Sequence, residues 1–498
     1  MNVPFTNIDG LYIGGEWVRP TSGGADPIPN PANEQVIGLA PLGGIAEAEA
    51  AIAAAREAFD NGPWPRMSFK ERAAVMRRML GALERRLPEI QALTIAEAGS
   101  TIGLAEATQT ATPLRHMLYA IEKAEQIVPC TGPIEINPNA WQPGGPDAIG
   151  VVTTVKEPVG VVAGITGYNF PFLLNMSKVV PVLLAGNTLL LKPSPFTPFS
   201  ALLFGEIAEE IGLPKGVLNI VTGDLEVAQL LTSDPKVDMV SFTGSDRVGA
   251  KIMEQAAPTL KRVVMELGGK SALIVRADAD LQKAAMTAVG MMTAHCGQGC
   301  ALLTRYLVHN DVRAQFVEIA KAVLGHWVIG DPADPGTTMG PLIRESQRAT
   351  VERYVQAGLD SGATLLTGGK RPDHLDRGFF YMPTLFDDVD NMSKVAQEEI
   401  FGPVGCVMGF DSDEEAIRIA NESNYGLAGA VMSADTAEAY RVALRLRAGL
   451  IWVNGGFGGD MTVHAPYGGY KRSGIGREYG PHWLDEYLEE KGISLPIA

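Results

Sequence analysis

Between residues 151 and 269 the chain alternates short, wholly apolar segments with helical ones, and this pattern limits the fold more than any other feature. GVVAGIT (160–166), NTLLLKPS (187–194), GVLNIVTG (216–223), VDMVSFTG (237–244) and RVVMELGG (262–269) read as buried strands. KVVPVLLAG (178–186), ALLFGEIAEEIG (201–212), EVAQLLTSD (226–234) and DRVGAKIMEQAA (246–257) lie between them as helices. Strands joined through helices pair in parallel, with the helices packed on the sheet faces. The expected fold is therefore α/β, built on a doubly wound parallel sheet. Such sheets bind ligands beyond the carboxyl ends of their strands, so the residues that follow each strand are the ones to inspect. A second alternating series at 271–456 predicts a second α/β domain.

Upstream, LYIGGEW (11–17) predicts a hairpin turning at Gly14-Gly15. IAEAEAAIAAAREAF (45–59) predicts a helix. Ser68 stands three residues before Glu71, a capping box that opens a helix running towards Leu87. Helical periodicity continues to about Val128, and the Gly- and Pro-rich stretch 130–150 reads as a loop or extended arm.

A chain of 498 residues has room for two or three such domains. Its net charge of −16 repels phosphate backbones and argues against nucleic acid. No apolar stretch reaches membrane-span length, and MNVPFTNIDG lacks the basic-then-apolar pattern of a secretory leader, so a cytoplasmic protein is expected. Four cysteines (Cys130, Cys296, Cys300, Cys406) are too few for a disulfide framework. No second pair completes a zinc site with Cys296 and Cys300, and no metal is expected.

Four places carry candidate chemistry. Cys300, in GQGCALLTR (297–305), sits among small residues that leave its sulfur accessible, although a buried cysteine is also an ordinary small hydrophobe. Glu266 ends an apolar strand, where a carboxylate with a raised pKa serves as a general base; a surface ion pair with Lys270 is the other reading. Asn169, in GITGYNFPF (164–172), offers an amide to an oxyanion, or is a turn residue. Gly244 and Ser245, in FTGSDRVG (242–249), sit where a strand enters a helix whose N-terminal N–H groups suit a pyrophosphate; a G-x-G-x-x-G string is absent there.

In order along the chain, GYNFPF, KPSPFTP, SFTGSDRVG, MELGGKSA, GQGCALLTR, QEEIFGPV (397–404), NYGLAGAV (424–431), WVN (452–454) and PYGGYKRSGIGRE (466–478) resemble the aldehyde dehydrogenase family over residues 11–480. The resemblance implies an NAD(P)-dependent oxidation of an aldehyde to its acid. It implies Cys300 as the nucleophile that forms a thiohemiacetal and then a thioester, Glu266 as the base that activates the hydrolytic water, Asn169 as the oxyanion donor and Lys178 as part of a proton relay. It places NAD against Ile165, Thr166, Tyr168, Lys192, Ser194, Pro195, Gly244, Ser245, Val248, Leu267, Glu399 and Phe401. It places the aldehyde against Phe170, Leu174, Ser177, Gly299, Ala301 and Phe457.

It also implies a nucleotide-binding domain (10–127 and 151–262), a catalytic domain (263–478) and an oligomerisation arm (128–150 and 479–498) that makes a homodimer or homotetramer. Two departures from the family pattern stand out. Pro195 replaces a glutamate that repels a 2′-phosphate, so NADP is expected to be accepted beside NAD. Ser177 replaces a tryptophan and is expected to widen the substrate tunnel. Coenzyme A- or phosphate-dependent acyl transfer is the alternative within enzymes, and Glu266 counts against it. A redox-inactive binding protein is the alternative outside them, and the intact Cys300, Glu266 and Asn169 count against that.

Overall fold

A computed structural model describes residues 8–137, 144–145, 147–456 and 462–496. Phe457 lies outside the described residues. The first sheet has eight strands, in the order Glu16–Val18, Leu11–Ile13, Leu218–Ile220, Thr188–Lys192, Val161–Ile165, Met239–Thr243, Arg262–Glu266 and Gly474–Ile475. The five from Leu218–Ile220 to Arg262–Glu266 are parallel. Along the chain Val161–Ile165 comes first of these five, and its spatial neighbours are the second and fourth. The strand order therefore reverses between Val161–Ile165 and Met239–Thr243, which opens a crevice at their carboxyl ends. The apolar evenness of these strands reflects burial on both faces.

The second sheet runs Thr364–Thr367, Thr384–Asp387, Val404–Phe410, Leu303–His309, Ser271–Val275, Ala428–Met432 and Leu450–Val453. Only Thr364–Thr367 is antiparallel to its neighbour. The chain passes from one sheet to the other between Glu266 and Ser271, so the carboxyl end of Arg262–Glu266 faces the junction. Gly474–Ile475 returns from the far side of the second sheet to pair with Met265 and Glu266. That return brings Tyr467 and Glu478 to the same junction.

The helix capped by Ser68 spans Phe69–Arg85, and both halves of its capping box form. It stops there because Pro88 cannot continue its hydrogen bonding; a new helix, Leu87–Ala98, starts instead and ends at Gly99 with φ 72°. The helical run up to Ala124 contains a π-helical stretch, Ala105–Ala111, an arrangement frequent at functional sites. The segment expected as loop or arm forms strands Cys130–Thr131 and Glu135–Asn137. Both pair with Ala148–Pro158, which extends past residue 150 and pairs along its length with Leu488–Pro496. Among the described residues no helix is long and apolar enough to cross a membrane.

Candidate active site

Cys300 follows a sharp reversal of the chain. The helix Leu281–Thr293, capped by Asp280, gives way to His295 and Cys296 at φ 49° and 54° and Gly297 at φ 73°. Gly297 is required here: a Cβ would stand 2.1 Å from the carbonyl carbon of Gly402. Gln298 pins the turn, donating to His295 O (3.1 Å) and accepting from Ile343 N–H (2.9 Å). The Cys300 sulfur then lies 3.0 Å from the Tyr467 hydroxyl. Enclosure pushes the thiol up to about 12; the Tyr467 hydrogen bond works the other way, and the Glu399 and Glu266 charges raise it further.

Glu266 ends its strand with both carboxylate oxygens buried and, among the described residues, without a hydrogen-bond partner. The ion pair with Lys270 does not form. Burial raises the carboxyl well above its usual range, and the nearby Glu478 charge raises it further. Such a group takes up a proton readily and is poised to act as a base. Glu478 in turn forms a buried ion pair with Lys178 and accepts from Ser177 Oγ (3.3 Å).

Asn169 follows the first strand of the parallel five and donates one amide hydrogen to Gln298 O at 2.9 Å. An amide nitrogen carries two hydrogens, so the other is free to serve a ligand. Ser245 caps the helix Asp246–Ala256, its hydroxyl accepting from Val248 N–H. Glu399 is half-buried; one oxygen accepts from Gly269 N–H (3.0 Å), and enclosure pushes the carboxyl up to about 7. Tyr168 sits edge-on to both Phe196 and Phe401, with centroids 5.9 and 5.8 Å away.

One cavity of about 640 Å³ joins these groups. Cys300, Glu266, Asn169, Tyr168, Gly244, Ser245, Val248, Leu267, Glu399 and Phe401 line it, as do Phe170, Leu174, Gly299 and Ala301. Ile165, Thr166, Lys192, Ser194 and Pro195 cluster at the neighbouring strand ends, where Thr166 N–H donates to Lys192 O (3.1 Å), but they do not line it.

Ser177 corrects the sequence expectation. It is fully buried and off the cavity wall, with its hydroxyl donating to Leu174 O at 2.9 Å. Tyr479, which interacts with Ser177, lines the cavity instead. Lys178 likewise reaches the cavity only through Glu478. Sequence reasoning missed Tyr467, Glu478, Gln298 and the small wall residues Ala107 and Ala111. It also missed Arg344, which lines the cavity with its guanidinium 4.0 Å above the Phe196 ring. Tyr467 and Glu478 sit inside PYGGYKRSGIGRE, so the family-like string was a signal for them.

Fold and site define a class: an α/β protein of two parallel-type sheets whose junction encloses a cysteine thiol, an unpartnered buried carboxyl and an amide donor. The comparisons narrow this class. A match to the aldehyde dehydrogenase family covers residues 17–493. A 3-succinoylsemialdehyde-pyridine dehydrogenase of Pseudomonas sp is 40% identical over 97% of this chain and 98% of its own. The betaine aldehyde dehydrogenase of Bacillus subtilis is 39% identical over 97% and 96%. The crystal structure of a Mycobacterium tuberculosis aldehyde dehydrogenase complexed with NAD+ superposes with a TM-score of 0.92 at 39% identity, covering 98% of each chain. The chain belongs to the aldehyde dehydrogenase family.

Proposed function

We propose that this enzyme oxidises an aldehyde to the carboxylic acid with NAD, through a covalent intermediate on Cys300. One observation carries the reading: Cys300, Glu266 and Asn169 open onto the same cavity as the N-terminus of Asp246–Ala256. The Cys300 thiolate attacks the aldehyde carbon, and the oxyanion of the thiohemiacetal takes hydrogen bonds from the Asn169 amide and the Cys300 backbone N–H. The chemistry a bound NAD would supply is acceptance of the hydride from this carbon, which would leave a thioester on Cys300. Glu266 takes a proton from water, which attacks the thioester and frees the acid and Cys300. Lys178 and Glu478 relay that proton onward, supported by their ion pair and the electrostatic link between Glu478 and Glu266.

The cavity fits the cofactor: it begins at a helix N-terminus beside the crevice, where N–H groups suit a pyrophosphate. Glu399 keeps one oxygen for a ribose hydroxyl, and Phe401 flanks it. Lys192, Ser194 and Pro195, with Ile165 and Thr166 on the neighbouring strand end, would hold the adenosine end.

The substrate we infer is an aromatic or branched apolar aldehyde larger than acetaldehyde. Its room comes from Ala107 and Ala111 rather than Ser177, and its apolar contacts from Phe170, Leu173, Leu174 and Leu302. The pyridine-bearing substrate in the name of the Pseudomonas relative supports this choice.

We divide the chain into a nucleotide-binding part, a catalytic part and an arm, the arm joining copies into a homodimer or homotetramer. Its exposed apolar side chains support that role: Val152, Ile493 and Leu495 are 43, 42 and 50% accessible. Four free cysteines suit a reducing compartment such as the cytoplasm.

NADH absorbance with an aldehyde panel, with and without coenzyme A, tests the reading. Turnover independent of coenzyme A and absent in Cys300→Ala is expected. Full activity in Cys300→Ala overturns it.

A further inference from the structure

We propose that the Tyr467 hydroxyl donates a hydrogen bond to the ionised Cys300 sulfur and is a catalytic residue of this enzyme. The inference rests on Cys300 being the nucleophile.

The geometry is direct. Tyr467 Oη stands 3.0 Å from Cys300 Sγ, well inside hydrogen-bonding range for sulfur. The phenol is held there by its backbone, because Tyr467 N–H donates to Glu478 O and Glu478 N–H to Tyr467 O, both at 2.7 Å. The Tyr479 ring braces it edge-on, with centroids 6.3 Å apart. The next residue, Gly468, passes so close to Glu266 that a Cβ would lie 2.9 Å from its carboxylate. Nucleophile, phenol and base are thus packed as one unit from three distant stretches of chain.

The donor's direction follows from the proton count. In the neutral pair either group can donate. A thiolate has no proton left, so only the phenol can donate once the sulfur ionises. The phenol keeps its proton under those conditions, since burial holds it well above the usual tyrosine range.

The surroundings make that bond matter. The carboxylates of Glu266 and Glu399 both disfavour a negative sulfur. Glu478 is ion-paired with Lys178, Tyr479 is uncharged, and Arg344 stacks on Phe196 instead. The Asn169 amide gives one hydrogen to Gln298 O, and the proposed reaction assigns the other to the substrate oxygen rather than to the sulfur. Among the described residues Tyr467 is therefore the side chain that hydrogen-bonds the sulfur. It would hold the thiolate before attack without adding a competing cation.

The test uses the full-length enzyme in a Cys130→Ser background, because Cys130 is exposed and would otherwise react. Alkylation of Cys300 by iodoacetamide is followed by peptide mass spectrometry across pH, with and without Tyr467→Phe. Phenylalanine keeps the ring and removes only the hydroxyl. Buried Cys296 and Cys406 must stay unlabelled, which certifies a folded protein in the same sample.

We expect Tyr467→Phe to slow labelling roughly tenfold at neutral pH, as an apparent thiol pKa about one unit higher requires, and to keep that gap across the pH range in which Cys296 and Cys406 stay unlabelled. The acylation rate should fall in parallel, while thioester hydrolysis does not. Superimposed pH profiles, or a shift to lower pH, overturn the proposal. Cys300→Ala separates the two readings: persistent dehydrogenase activity there defeats the nucleophile assignment, whatever Tyr467→Phe shows.

Discussion

Glu266 shows how one residue takes its chemistry from its neighbours. Its carboxyl is buried beside Glu478 without a hydrogen-bond partner among the described residues, so the neutral form is favoured. Removing the base should stop hydrolysis but not acylation. Glu266→Gln is expected to release about one NADH per active site in a burst and then turn over at least a hundredfold more slowly, within the usual range for loss of a general base. Equal steady-state rates in the variant and the parent would show that another group activates the water.

The raised pKa also sets a pH dependence. Glu266 works only when ionised, so deacylation is lost as pH falls through that raised value. The acid limb of kcat should stand well above the usual carboxylate range. Glu478→Gln removes a neighbouring negative charge and leaves the Lys178 charge to favour ionised Glu266. The acid limb measured under deacylation-limited conditions should then move to lower pH. An unmoved limb would separate Glu266 from Glu478.

At the scale of single elements, the ends of the parallel strands distribute the work. Thr188–Lys192 ends on Lys192, with Pro195 three residues on, where the proposed adenosine end of the cofactor would lie. Val161–Ile165 leads to Asn169, Met239–Thr243 to Ser245, and Arg262–Glu266 ends on Glu266, the proposed base. Burial lowers Lys192 to about 8, so its ammonium still predominates at neutral pH. With proline at 195 no carboxylate stands on that turn to repel a 2′-phosphate, nor is one there to bond the ribose hydroxyls. NAD and NADP should therefore differ by only one or two powers of ten in kcat/KM, roughly 1.4–2.8 kcal/mol. Pro195→Glu should widen the gap, mainly through KM for NADP. A parent enzyme that already rejects NADP far more strongly would place the discrimination elsewhere.

For the whole molecule, the arm is the part whose architecture calls for company. The strand pair Ala148–Pro158 and Leu488–Pro496 leaves apolar side chains exposed, and Leu495 is half accessible. An exposed strand edge with apolar neighbours favours pairing with another chain. If the arm joins copies as proposed, deleting residues 490–498 should yield a smaller species in sedimentation velocity and lower the thermal midpoint by several degrees. An unchanged sedimentation coefficient would show that copies meet through another surface.

Much of this protein was readable before any fold was built. The five apolar strand segments, the Ser68–Glu71 capping box and the Gly14-Gly15 turn express local preferences, and each formed within a few residues of its expected place. The strings that carry Cys300, Glu266 and Asn169 to one cavity were also legible, because each sits next to a strand end or a tight turn. Ser177 was misread. Its neighbours in the chain cannot reveal that it is buried off the cavity wall while Tyr479, from a distant segment, lines that wall. Tyr467 against the Cys300 sulfur, Glu478 against Lys178 and Gln298 under Asn169 are likewise contacts between segments far apart in sequence. Local backbone preference decides which elements form and what each carries at its end. Only close packing decides which side chains share a wall, and that is where the electrostatics of this site are set.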